Sequence, residues 1–307
     1  MADRRRSGTT LARSNRLWFW AFVAPFLAGL LVFVYVPLLW SAGLSFYDAR
    51  NTVTLTRFVG LGNYVSLLNN GLFLDSLATF VAFAVFIVPL TFACSLGLAL
   101  LLQRITVLRA FFRSAFFLPT AVSYVIAAMV WRMAFFNGAR FGLANTLLAA
   151  AGLQPINWLG GENTWYWLVL VSLRLWLQVG FYMILFIAGL NQIDPQLAEA
   201  AALDGAGGWR RFWHVTFPLL RPTSVAVSML LLFNAFQAFD EFYNTLITAG
   251  GYPPFARPPL VYLYLISFGG GAQDLGIGSA GTMILTLVIL AFSLLQNRLL
   301  AIGGGDR

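Results

Sequence analysis

Residues 77–102 read LATFVAFAVFIVPLTFACSLGLALLL, with no charged side chain anywhere in the run. About 20 predominantly apolar residues in helical form are enough to cross the hydrocarbon core of a bilayer, and this stretch exceeds that. Working outward, five more runs of the same character lie near Leu17–Leu44, Phe116–Phe136, Thr164–Leu190, Pro222–Ile247 and Gly276–Leu300. The expected fold class is therefore all-α integral membrane, with six transmembrane helices.

Composition supports this. Of 307 residues, 60% are hydrophobic and 10% charged, against about 25% charged in soluble domains, so most of the surface faces something other than water. All 19 basic residues are Arg. Without Lys the chain has no P-loop lysine for nucleotide phosphates and no Schiff-base amine. A single cysteine, Cys94, rules out an internal disulfide or a Cys-rich metal site. A single histidine, His214, argues against a His-based metal site or triad. The net charge of +8 is spread between apolar runs, which fits a membrane and not nucleic acid.

The first apolar run follows Arg4, Arg5, Arg6, Arg13 and Arg16. It is about twice the 7–15 residues of a signal-peptide core, and reads as a retained anchor. Cytoplasmic segments carry the excess of basic residues. With the N-terminus inside, the inner segments hold those five with Arg104, Arg109, Arg113, Arg210, Arg211, Arg221, Arg298 and Arg307. The outer segments and outer span ends hold Arg50, Arg57, Arg132, Arg140 and Arg257, and Arg174 lies within a span. Thirteen against five predicts both termini cytoplasmic. Residues 1–15 form a basic tail and residues 16–307 a single transmembrane domain. The outer loops Asn51–Ser76, Asn137–Asn163 and Ala249–Asp274 are rich in Gly, Asn, Pro and aromatics, with a short interfacial helix expected at Leu143–Leu153.

The inner segment Gln192–Pro222 reads QIDPQLAEAAALDGAGGWRRFWHVTFPLLRP. Asp194 before Pro195 is a helix start, the carboxylate capping free N–H groups and Pro fitting the first helical position. Gln196–Leu203 is a short helix that Asp204-Gly205 ends. A second helical piece near Trp209–Thr216 stops before Pro218. Such a helix–turn–helix is too polar for lipid and too small to fold alone, so it docks on something.

The run Glu199-Ala200-Ala201, Asp204-Gly205-Ala206, Phe212, Val215 and Pro218 resembles the EAA motif of ABC importer permeases, with Val215 for the usual Ile and Phe217 for the usual Leu. Phe58-Val59-Gly60-Leu61-Gly62-Asn63-Tyr64, Phe117-Leu118-Pro119, Pro155-Ile156-Asn157-Trp158-Leu159-Gly160, Ala188-Gly189-Leu190 and Leu246-Ile247-Thr248-Ala249-Gly250-Gly251 are similar to the branch that imports oligosaccharides and glycerol phosphate. Tyr252 displaces that branch's Pro. The resemblance implies a type I importer permease of a bacterial or archaeal cytoplasmic membrane. Its implied partners are a second related permease subunit, two ATP-binding subunits and an extracytoplasmic solute-binding protein. No cofactor is bound by the chain itself; ATP and Mg belong to the partner ATPases. Glu199 would be the polar contact to the ATPase, Ala200 and Ala201 the flat packing surface, and Gly205 the bend, within a coupling site that also takes in Asp204 and Ala206.

Ionisable groups inside a span are costly and usually face a cavity or a partner. Arg174 lies in the fourth run with Gln178 one turn on. Asn234, Gln237, Asp240 and Glu241 lie in the fifth, where spacings of three and four put Asn234, Gln237 and Glu241 on one helical face with Asp240 beside it. Thr120, Ser123, Tyr124 and Trp131 add hydroxyls and an aromatic plane in the third. This chemistry suits sugars, and the resemblance places substrate between spans three to five, with Gln237 and Asp240 at contact positions. Structural readings stand beside these: Asp240 or Glu241 pairs with Arg174 to hold helices together, and Thr120 and Tyr124 pack helices. Arg174 keeps glycerol phosphate open as cargo.

Gly276-Ile277-Gly278-Ser279-Ala280-Gly281 spells G-x-G-x-x-G, but it opens a span and no acidic residue follows before Asp306, so it reads as close helix packing and not a dinucleotide site. The competing function is an ion-coupled secondary transporter. Such folds often carry internal repeats, and none is visible here.

Overall fold

The computed structural model describes residues 18–138, 142–160, 164–248, 251–269, 271 and 273–301. The basic tail, Arg140, Ala249 with Gly250, and Arg307 lie outside the described residues. In chain order the elements are α1 (Trp18–Leu44), strands β1 (Tyr47–Asp48) and β2 (Arg57–Phe58), α2 (Gly62–Leu68), α3 (Gly71–Arg104), α4 (Arg109–Phe117) and α5 (Tyr124–Val130). They continue with α6 (Leu143–Ala150), α7 (Tyr166–Leu190), α8 (Pro195–Leu203), α9 (Gly208–Leu219), α10 (Arg221–Phe236), α11 (Asp240–Leu246), α12 (Pro259–Phe268) and α13 (Leu275–Ala301).

Among the described residues, α1, α3, α7 and the Leu275–Leu295 part of α13 are long and apolar enough to cross a membrane unbroken. The expected third and fifth spans are not straight helices. The third turns through 97° between Ala121 and Tyr124. The fifth leaves its helix after Phe236 and restarts at Asp240. The cause of the first break is local: Pro119 lies in a tight turn, Leu118–Ala121, and Val122 and Ser123 are extended. The single helical face expected for Asn234, Gln237 and Glu241 is therefore corrected, because the break interrupts the 3.6-residue period that would have aligned them.

Smaller corrections concern element ends. The second span begins at Gly71, where the Asn70 side chain accepts from the Leu72 and Phe73 N–H groups. The stretches between the long helices hold β1, β2, α2 and α12, none of which was expected. The second helix of the inner connector passes through Pro218 to Leu219, because a π-helical turn at Phe212–Thr216 precedes the proline, which then opens a new helical turn.

The described residues form two compact units, one drawn from residues up to 69 with 264–284, the other from residues 70–263 with those from 285 onward. In the first, β1 and β2 pair antiparallel. Asn63, from the Phe58–Tyr64 motif, donates from Nδ2 to the Ser45 and Tyr47 carbonyls, both at 2.9 Å. Gly276 comes so close to this turn that a Cβ there would lie 2.3 Å from the Tyr47 oxygen. The glycine that opens the G-x-G-x-x-G run thus serves backbone approach.

In the second unit α3 packs along α7 and α10. Leu96, Ala99 and Leu102 of α3 meet Tyr182, Met183, Phe186, Ile187 and Leu190 of α7 and Val227 and Leu231 of α10. Two glycines of α7 set the spacing. A Cβ at Gly189 would stand 2.2 Å from Thr223 Oγ1, and one at Gly180 would stand 1.8 Å from the Phe116 carbonyl oxygen. Small residues let membrane helices approach this closely. Buried Asn145 of α6 accepts from Ile156 N at 3.0 Å and Trp158 Nε1 at 2.9 Å, fixing the Pro155–Gly160 motif. Tyr252, at the departure from the family pattern, donates to the Ala256 carbonyl at 2.6 Å and lies under the Arg257 guanidinium. Burial raises its phenol pKa above the ordinary value.

Candidate functional site

The inner connector takes the form expected for its first helix. The Asp194 carboxylate accepts from Gln196 N at 2.9 Å, with Pro195 in the first turn. At the other end Gly205 has φ +79°. Its N–H reaches the Ala202 carbonyl at 3.1 Å and the Ala206 N–H reaches Ala201 at 2.9 Å, the paired bonds of a Schellman stop. Nothing crowds a Cβ at Gly205, so its requirement is conformational. Gly205→Ala is expected to cost about 1–2 kcal/mol locally and to loosen the turn between α8 and α9 without unfolding the spans; amide exchange at Gly205 and Ala206 reads it. Glu199, Ala200, Asp204 and Gly205 are exposed, and Ala201 and Ala206 half-buried. Leu203 is 90% exposed and Trp209 76%, large apolar side chains that the chain itself leaves uncovered. Sequence reasoning passed over both as ordinary connector residues. His214 is exposed on α9, its Nδ1 3.0 Å from the Arg210 carbonyl oxygen one turn before it.

The second candidate site lies where the two broken spans meet the unbroken α7. Arg174 and Glu241 are 3% and 1% exposed and form a buried ion pair, Arg174 Nη1 donating to Glu241 Oε1. Arg174 Nη2 also donates to the Asn234 carbonyl at 2.6 Å. The guanidinium lies 5.8 Å from the Tyr124 ring centroid and 6.0 Å from that of Phe83, within cation–π range. One turn on, Gln178 Nε2 donates to the Tyr124 hydroxyl at 2.9 Å. Asn234 Nδ2 donates to the Tyr182 hydroxyl at 2.9 Å. So α7 holds the third span at Tyr124, the first residue after its bend, and the fifth span on both sides of its break.

These positions sort the sequence candidates. Arg174 and Glu241 pair with each other, as the structural reading of the two residues has it. Thr120 turns its hydroxyl back to the Phe117 carbonyl at 2.7 Å and Tyr124, Gln178 and Asn234 are half-buried in the network. Gln237 and Asp240 are exposed. Trp131 donates to Ser172 Oγ at 3.1 Å and serves packing. Tyr182 and Phe83, which complete the network, were not singled out in the sequence. Arg132 donates to the Ile247 carbonyl, placing a cation at the C-terminal end of α11, as the helix dipole favours.

Residues 95–301 match the family model for the binding-protein-dependent transport system inner membrane component. The chain is 31% identical over 92% of its length to the probable starch degradation products transport system permease protein AmyD of Thermoanaerobacterium thermosulfurigenes, covering 93% of that protein. It is 32% identical over 92% of its length to the sn-glycerol-3-phosphate transport system permease protein UgpA of Agrobacterium fabrum, covering 94% of it. In fold it is similar to a chain of a bacterial ABC transporter involved in the import of the acidic polysaccharide alginate, with a TM-score of 0.81 at 23% identity over 96% of this chain and 98% of the other.

Proposed function

This chain belongs to the inner membrane components of binding-protein-dependent transport systems, and from that premise we propose how its geometry moves a solute. It is a permease subunit of an ATP-driven importer of sugars, oligosaccharides or glycerol 3-phosphate, and not an enzyme.

Solute passes the breaks in the third and fifth spans. Irregular backbone at membrane depth persists only where protein buries it or a water-filled cavity meets it, and the observation that carries the reading is the exposure of Gln237 and Asp240 at one such break. An amide and a carboxylate there offer hydrogen bonds to sugar hydroxyls, while Thr120, Tyr124, Gln178 and Asn234 shape the wall. Arg174, the charge that kept an anionic cargo open, is neutralised by Glu241, and Asp240 adds a negative charge. The path therefore favours a neutral carbohydrate over glycerol 3-phosphate.

The lever is α8. Residues 16–307 act as one permease domain behind the basic tail of residues 1–15, with both termini cytoplasmic, as the Arg distribution supports. That orientation puts α8 on the cytoplasmic side, where its flat Ala200–Ala201 face and Glu199 meet an ATP-binding subunit. A second related permease subunit, two ATP-binding subunits and an extracytoplasmic binding protein complete the complex. ATP and Mg are used by the ATPases and none is held by this chain. Closure of the ATPases drives the coupling helices together and opens the path outward, in alternating access.

The test is uptake into proteoliposomes holding the whole complex with its binding protein, using labelled maltotriose, arabinotriose and sn-glycerol 3-phosphate. Gln237→Leu with Asp240→Leu is expected to lower carbohydrate uptake by about tenfold or more, the equivalent of one hydrogen bond to a charged group, with ATP hydrolysis stimulated by the binding protein retained. Unchanged uptake in the double variant would place the path elsewhere, and a preference for glycerol 3-phosphate would overturn the neutral-cargo assignment.

A further inference from the structure

The Arg174–Glu241 pair has a geometry that an ordinary interhelical ion pair does not need. Helix α10 ends at Phe236, where Gln237 N donates to the Asn234 carbonyl at 3.2 Å. Arg174 Nη2 reaches that same carbonyl at 2.6 Å. Helix α11 begins at Asp240, and Glu241 stands in its first turn. The cation is thus at the C-terminal end of one half-helix and the anion at the N-terminal end of the other, each the sign that the local dipole favours. Breaking a span inside a membrane leaves carbonyls on one side of the gap and N–H groups on the other without their helical partners, to be met by protein or by a water-filled cavity.

We propose that Arg174 and Glu241 are positioning residues that cap the two half-helices of the fifth span across its break, and so set the angle at which Gln237 and Asp240 are presented. Their role rests on the charges' relation to the helix ends as well as to each other. The presentation of Gln237 and Asp240 to solute rests on the path reading above; the capping itself does not.

That distinction makes the sign of the charges testable. Exchanging the residues, Arg174→Glu with Glu241→Arg, keeps an ion pair but turns each charge against its helix end. If the pair is merely a bridge between helices, the exchange rescues; if it caps the half-helices, it fails. The experiment uses the full chain in its assembled complex, with Cys94→Ser and spin labels at Leu230→Cys on α10 and Asn244→Cys on α11, and measures the distance across the break by pulsed electron resonance. The Arg174–Glu241 parent is expected to give a single narrow distribution. Arg174→Ala and the exchanged double variant are both expected to shift and broaden it. Arg174→Lys, whose single ammonium cannot fork to both acceptors, falls between. A parental distribution in the exchanged variant overturns the proposal, as does one in Arg174→Ala. Should Arg174→Ala not assemble, the Lys variant and the exchange decide the matter. Separately, Gln237→Cys in the parent is treated with a membrane-impermeant thiol reagent. Absence of labelling there counts against the path while leaving the distance result to judge the cap.

Discussion

Glu199→Arg is expected to abolish ATP-driven uptake while leaving the chain folded and inserted. Glu199 is exposed on α8, and the two features that define this helix do not involve its side chain: the Asp194 cap at 2.9 Å and the Schellman bonds at Gly205 and Ala206. The contacts among α3, α7 and α10 on either side do not include its side chain. The substitution therefore has little to disturb within the subunit. Against a partner that reads a carboxylate, it replaces an attractive charge-assisted contact with a like-charge one. Truncating one side of a buried charged contact costs about 2–5 kcal/mol, and reversal exceeds truncation, so binding of the ATP-binding subunits should fall by at least about thirtyfold. Co-purification of those subunits with the tagged permease, and uptake in proteoliposomes, measure the two consequences. Full retention of both would remove α8 as the lever.

The largest effect on stability is expected from Gly180→Ala, a single methyl. The added Cβ would sit 1.8 Å from the Phe116 carbonyl oxygen, 2.5 Å from its carbon and 2.9 Å from the Phe117 Cα. All three are backbone atoms at the end of α4, so no side chain can swing aside. Either α4 must leave α7 or α7 must bend. Overpacking costs about 1–3 kcal/mol where side chains repack, and the absence of that escape puts this variant at or above the top of the range. The same displacement would move Leu118–Ala121 and the bend that follows. Loss of monodisperse complex in detergent is the expected result. Gly97→Ala on α3 is the matching control, because nothing lies within 4 Å of its would-be Cβ, and it should purify as the parent does. Equal behaviour of the two variants would mean that α4 is not seated on α7 as described.

Much of this protein was open to a reader of the sequence, and the parts that were share a physical origin. Span number followed from the apolar length a bilayer requires. Asp194-Pro195 and Asp204-Gly205 specified the ends of α8 because caps and left-handed stops are local chemistry, settled within four residues. The family resemblance of Glu199–Ala206 belonged to the same short range. The breaks did not: Pro119 was visible, yet a proline inside an apolar run also occurs at Pro89, which stays within the continuous α3. The interruption at Gln237–Phe239 has neither Pro nor Gly. The side chain that meets the helix end there, Arg174 donating to the Asn234 carbonyl, stands 60 residues earlier in the chain.

Sequence by itself thus determined which segments are apolar enough to cross a membrane and where the short helix between two of them starts and stops, since hydrophobic length and capping depend on neighbours along the chain. Tertiary structure alone decided which polar side chains are spent on each other and which stay exposed. Arg174, Asn234, Gln237, Asp240 and Glu241 looked alike as polar insertions in greasy helices; only packing on α7 separated the buried pair from the two exposed groups, because desolvation is a property of what surrounds a residue in space.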